Sequence, residues 1–334
     1  MGRHLTSFGA GDKQQHTLAG EVCFEGVTLH KGFPGKLLIK PALPNHGIVF
    51  KRTDLKASES LVRARWDNVS DTALCTTVSN ESGISVSTIE HLMAAFAGCG
   101  VDNALVEING PEVPIMDGSA RPFVDMFEKV GLYQQNASRK YIKILKPIKL
   151  LENDACIELS PAKNFSINFE IDFDSEAIKD TSLNISLVNG AFNHEISSAR
   201  TFGFLEDVDR MRLAGLGLGG SLKNVVVVDG SKVLNDDGLR FKDEFVRHKI
   251  LDCVGDLYLC GGPIIGSVKA YKTGHYFNNK LLRKLFSEKN SWEWASQEAD
   301  HVFFEGQPKM AIAEIDLTIY MVLPVGFVMT IRYY

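Results

Sequence analysis

The segment EFVRHKILDCVGDLY, residues 244–258, constrains the fold more than any other stretch of this chain. Its length and spacing are helical and most of its side chains are apolar, so it belongs in an interior. Yet it carries His248, Asp252 and Asp256 at intervals of four, about one helical turn, which sets them in a row along one side. Either that side faces water, or it faces something that takes nitrogen and oxygen ligands.

The rest of the chain supplies two surroundings for such a helix. Residues 17–52 run as short apolar stretches broken by glycine and proline, which reads as strands and turns. SVSTIEHLMAAFAGCG then switches to helical spacing, with Ser87 and Glu90 in the pattern of a capping box and Gly98 and Gly100 as a stop. NALVEING reads as a strand and SARPFVDMFEKVGL as a second helix. YQQNASRK, residues 133–140, is polar and without periodicity, which suits a boundary. Beyond it strands resume (YIKILKPIKLL, ACIELSP, FSINFEIDF), followed by an irregular region over 174–200. A helix within SSARTFGFLEDVDRMRLAGLGLGG, the strand NVVVVDG, the helix of 244–258, the strand IIGSVKAYK and the helix NNKLLRKLFSE come next. Each half thus runs strands first and helices after. The expected fold class is α+β, with two domains of similar architecture, one over 15–135 and one over 140–288. A length of 334 residues is ample for two such domains.

Charge and cysteine usage exclude some functions. A formal net charge of −5 argues against a nucleic-acid binder. Six scattered cysteines without a C-x-x-C pair fit a reducing compartment. The N-terminus lacks the apolar run of a signal peptide, and IYMVLPVGFVM is too short, and interrupted by proline, to span a bilayer. The expectation is a soluble cytoplasmic protein.

Chemistry-bearing side chains concentrate at Glu90-His91, at His248/Asp252 and at His275. Two histidines and one carboxylate are a common catalytic zinc set, and iron also accepts it. His248 and Asp252 can reach one ion from one helix, whereas His91 must come from the other half. Glu90, beside His91, could take a proton from water. Each residue also has an ordinary role open to it. Glu90 could be a cap, His91 a core histidine, and His248/Asp252 a helix-surface pair. Asp256 and Lys249 could be solvated charges, Thr201 and Phe202 a turn residue and a core aromatic, and His275 a turn residue. Spacing alone leaves both sets standing.

STIEHLMAAFAGCGVDNALVEINGPEVPIMDGSARPF, SARTFGF, DEFVRHKILDCVGDLYLCG and GHYFNNKLL resemble, in order, the UDP-3-O-acyl-N-acetylglucosamine deacetylase family, the zinc amidases of early lipid A biosynthesis. The likeness runs from TLAGEV to NNKLLRKL. It implies two domains, each a sheet with helices, with the helical layers packed between the sheets and the site between them. It further implies His91, His248 and Asp252 as zinc ligands, with iron an alternative, and Glu90 as the general base. His275 would be a cation that stabilises the oxyanion or protonates the leaving amine, supported by Asp256, and the proton for that amine would come from His275 or from Glu90. Thr201 would hydrogen-bond the tetrahedral oxygen, and Lys249, Phe202 and Phe173 would contact substrate. An insert around residues 193–221 would form a passage for the acyl chain. Residues 289–334 lie beyond the likeness and have no assigned role. The expected enzyme is a monomer acting on a UDP-linked, acylated N-acetylglucosamine. A deacetylase of another N-acetylated sugar and a non-catalytic zinc-stabilised binding module are the other readings. The apolar side of the 244–258 helix, with Ile250, Val254 and Leu257, would pack into the core.

Overall fold

Period-two burial in the strands and nearly complete burial in two helices organise the molecule. The computed structural model describes residues 13–56, 60–188 and 190–296. In the first half, a five-stranded sheet has the spatial order Val22–Val27, Pro34–Pro41, Ala104–Ile108, Ile48–Arg52, Leu61–Arg63. In the second half the order is Ile148–Glu152, Ala155–Ser160, Ser267–Tyr271, Ser166–Glu170, Ser182–Ser186. Both orders are first, second, fifth, third, fourth in chain sequence. In each sheet only the central pairing, of the fifth strand with the third, is parallel. A parallel pairing needs a crossover, and the helix that carries it is α1 (Glu90–Cys99) in the first half and α4 (Glu244–Tyr258) in the second. A second helix follows each fifth strand: α2 (Arg121–Val130) and α5 (His275–Ser287). Between the fourth strand and the crossover helix each half also inserts a small three-stranded sheet. In the second half that insert carries α3 (Leu205–Leu213). The α+β class and the likeness between halves are therefore as the sequence implies.

The two crossover helices form the centre. Every residue of α1 is buried, including Glu90 and His91 at its otherwise apolar start. Helix α4 packs along it closely at Gly255, where a Cβ would lie 2.0 Å from the carbonyl oxygen of Glu90. Phe96, Phe127, Phe169, Phe245, Ile250 and Leu257 belong to one continuous core that draws on both sheets and the helices between them. Each such side chain contributes about 1.5–3 kcal/mol on burial.

Several local expectations need correcting. Ser87 and Glu90 do not form a capping box. The Ser87 hydroxyl donates to the carbonyl of Pro111, while Glu90 accepts from the Thr76 amide. Residues 132–138 are a strand, paired with Gln14–Leu18. There polar side chains do the work of apolar ones: buried Gln135 and Gln15 both accept from the amide of Asn103. The region 174–200 contains the edge strand Ser182–Ser186 and a π-helical turn over Phe192–Ile196. The helix expected near 197–215 begins only at Leu205, because Phe202–Phe204 pairs with Val226–Asp229 as a strand. Of residues 289–334, only those to 296 are described. Trp292–Ala295 forms a strand antiparallel to Tyr141–Ile144. The apolar stretch IYMVLPVGFVM lies outside the described residues. Among the described residues no helix is long and apolar enough to cross a membrane.

Candidate active site

The row seen in the sequence does not face water. His248, Asp252 and Asp256 are 3%, 3% and 2% exposed, and Lys249 between them is largely covered. This settles against the helix-surface reading of the pair and against Asp256 and Lys249 as solvated charges. The polar side of α4 lies against the start of α1, which brings His91 from the other half to the same point. One ligand atom from each of His91, His248 and Asp252 lies within 4.8 Å of the others. Asp252 Oδ1 is 3.4 Å from His248 Nε2 and 3.6 Å from His91 Nε2. The two imidazole rings stand nearly perpendicular, at 88°, with centroids 4.9 Å apart.

Protonation states follow from the surroundings. Burial, partly opposed by Asp252, pushes His248 down to about 4, so its ring is neutral. Its Nδ1 lies 3.0 Å from the Ala199 carbonyl oxygen and must carry the proton it donates there. Nε2 is left as a lone pair facing Asp252. Burial raises the Asp252 carboxyl, but the Lys249 ammonium, helped by the His275 cation, overcomes it and holds the group well below its ordinary range. Lys249 Nζ donates to Asp252 Oδ2 at 2.9 Å. Asp252 Oδ1, although buried, makes no hydrogen bond. A buried anionic oxygen with two imidazole nitrogens turned on it is costly for the protein alone. A divalent metal ion satisfies all three donors, so the residues fit one.

Around this point the other expected residues assemble. Glu90 Oε1 lies 4.0 Å from His275 Nε2. Burial raises the Glu90 carboxyl above its ordinary range, against the lowering pull of His275 and His91. His275 is the first residue of α5. Burial and the positive end of a helix both disfavour a cation there. The charge and hydrogen bond of Asp256, with Asp252 and Glu90 behind it, override the burial and raise His275 to about 9. His275 Nδ1 donates to Asp256 Oδ2 at 2.8 Å, which leaves Nε2 toward Glu90 and Asp252. Thr201 is fixed through its backbone: its amide donates to the Gly118 carbonyl at 2.8 Å and its carbonyl accepts from Val226. Gly118 has φ 87°, and a Cβ there would meet the Asn224 carbonyl oxygen at 2.0 Å, so this close approach requires glycine.

Glu90, His91, Thr201, Phe202, Phe173, His248, Lys249, Asp252 and His275 line one cavity of about 140 Å³. Phe202 meets Phe173 edge-on, with ring centroids 5.4 Å apart, and reaches toward His248 at 6.2 Å. Asp256 stands behind His275. A larger cavity of about 280 Å³ is lined by Asp102, Arg139 and Tyr258 among others, and none of the residues singled out from the sequence borders it. There the Asp102 carboxylate is already paired with Arg139 at 2.8 Å.

Sequence reasoning passed over Thr76, Thr88, Glu112 and Asn278. Thr88 holds a left-handed φ of 57°, and its hydroxyl donates to Glu112. Glu112 also accepts from the amides of His30 and Lys31, which sets the loop that puts Leu29 on the cavity wall. Asn278 donates to Asp256 Oδ2 at 2.8 Å. No motif marks these residues, since their roles arise from contacts between distant segments.

The family model described as LpxC, UDP-3-O-acyl N-acetylglycosamine deacetylase, matches residues 15–287. The chain belongs to that family. The protein named UDP-3-O-acyl-N-acetylglucosamine deacetylase from Shewanella frigidimarina is 48% identical over 290 residues, covering 86% of this chain and 94% of its own. Its namesake from Histophilus somni is 46% identical over 287 residues, and that from Haemophilus influenzae 47% over 287 residues. Each of these two matches covers 85% of this chain and 94% of the relative.

Proposed function

We propose that the protein hydrolyses the N-acetyl amide of UDP-3-O-acyl-N-acetylglucosamine, releasing acetate, as an early step of lipid A biosynthesis in the cytoplasm. Membership of the deacetylase family supports this reading, and one observation carries it: a buried carboxylate oxygen without a hydrogen bond, faced by imidazoles from both halves of the chain. His91, His248 and Asp252 would hold a zinc ion, with iron as the alternative metal. When bound, such an ion supplies Lewis acidity, favouring ionisation of water and polarising a carbonyl.

The chain's own groups divide the remaining work. Glu90, its carboxyl raised by burial, takes a proton from the attacking water. The Thr201 hydroxyl donates to the oxygen that becomes negative as the amide carbon turns tetrahedral. His275, held as a cation by Asp256, adds positive charge there and gives its Nε2 proton to the departing amine. Lys249 keeps Asp252 Oδ2 occupied and offers its remaining donors to substrate. Phe173 and Phe202, on the cavity wall, would contact substrate. The insert around residues 193–221 would guide the acyl chain. We read the halves as two domains meeting at this site, and the protein as a monomer.

Acetate release from the acylated nucleotide sugar, measured beside the same sugar without its acyl chain, tests the substrate. Release that falls sharply without the chain is expected. Equal rates would favour a deacetylase of another N-acetylated sugar.

A further inference from the structure

One buried residue that carries no assigned role touches both proton-handling parts of the site. Thr76, 1% exposed, lies in the first half's small inserted sheet region. Its backbone N–H donates to Glu90 Oε2 at 3.0 Å, and its hydroxyl donates to Asp256 Oδ1 at 2.6 Å. The second contact joins residues 180 positions apart. It bridges the two halves at the point where α1 begins and the last turn of α4 meets the start of α5.

The effect of that hydroxyl is specific. Rotation about the last torsion of an aspartate is soft and roughly two-fold, so the side chain alone does not decide which oxygen points where. Asp256 Oδ2 accepts from His275 Nδ1 and from Asn278 Nδ2, both at 2.8 Å. Oδ1 accepts from Thr76. With Oδ1 anchored, the carboxylate plane is set and Oδ2 stays aimed at the imidazole. His275 then keeps Nε2 toward Glu90, at 4.0 Å. The amide of the same residue holds the far oxygen of Glu90, leaving Oε1 on the imidazole side.

We propose that Thr76 is a positioning residue that sets the Asp256 carboxylate, and through it His275, in register with Glu90. This deepens the deacetylase reading and rests on it. Thr76 does not line the cavity, so it acts through Asp256 and not on substrate.

Thr76→Val keeps the shape and the backbone N–H but removes the hydroxyl, and Thr76→Ser restores it. In the metal-loaded full chain, Thr76→Val should lower kcat by about ten- to a hundredfold with KM changed less than about twofold. Thr76→Ser should recover most of kcat, and metal content should match the unaltered protein. In a His275→Ala background, adding Thr76→Val should cost little more, because the two changes disable one unit. A second readout does not need activity. The far-downfield proton of the His275–Asp256 hydrogen bond, assigned by its loss in His275→Ala, should shift or broaden in Thr76→Val and return in Thr76→Ser. Unchanged kcat and an unchanged resonance in Thr76→Val would overturn the proposal. So would a loss that Thr76→Ser does not repair, or one that adds in full to His275→Ala. Thr76→Ala carries the same comparison if the valine variant does not fold. Failure of the unaltered protein to release acetate would sink the deacetylase reading, and the resonance would still decide the role of Thr76.

Discussion

The two halves share one topology and divide the chemistry unequally. Both order their strands identically, and both send a crossover helix through the centre. The first half contributes Glu90 and His91 from the very start of α1, whereas the second contributes His248 and Asp252 from the middle of α4. The following helices diverge as well. Helix α2 opens with Arg121, whose guanidinium pairs with Asp125 at 2.6 Å near the surface. Helix α5 opens with His275, which lines the site and is held against Asp256. A duplicated frame therefore does not give a duplicated site. It gives a seam, and neither half alone offers three donors to one ion.

The largest effects should separate the two contributions. Asp252→Ala removes the anionic donor of the second half, and both metal retention and acetate release should be lost. Glu90→Ala removes only the first half's proton acceptor, so acetate release should fall about 100- to 10,000-fold while metal content stays unchanged. Metal analysis beside turnover checks both variants. Loss of metal from Glu90→Ala would break the division.

Smaller effects sharpen the comparison. Gly255→Ala places a methyl 2.0 Å from the Glu90 carbonyl oxygen, against backbone. It should destabilise the protein by about 1–3 kcal/mol in urea unfolding and lower turnover too, because the base is displaced. Gly98→Ala, the counterpart in α1, presses on the buried Phe192 ring. It should cost stability without the same loss of turnover per folded molecule.

Activity should respond to pH through one group from each half. Glu90 must be ionised to accept a proton, so turnover should fall as pH drops through its raised value. His275 must be protonated to donate, so turnover should fall as pH rises through about 9. A kcat/KM profile checks this, and His275→Gln should remove the alkaline limb.

Much of this was legible in the sequence, for physical reasons. The i, i+4 spacing of His248 and Asp252 is geometry local to a helix, and the strand runs announce themselves by alternation. The convergence of His91 on that pair was one of two readings the residues left open, and only the family resemblance favoured it, since a contact across the chain leaves no local period. The strand at 132–138 was hidden because its one buried position is Gln135, held by hydrogen bonds with Asn103 and the Ala42 carbonyl instead of by apolar packing. Glu90 looked like a cap because a carboxylate at a helix start usually is one. Here the Thr76 amide, from another segment, claims it. Thr76 and Asn278 carry no signal, because an ordinary threonine or asparagine becomes a positioning group only through what lies opposite it.

Chelation followed by metal re-addition addresses the shared site most directly, with bound metal and acetate release read on the same sample. One divalent ion per chain is expected, with release abolished on its removal and restored by zinc, and with neither binding nor restoration in Asp252→Ala. Acetate release that persists in metal-free protein, or a full complement of metal in Asp252→Ala, would contradict the convergence of His91, His248 and Asp252 on one ion.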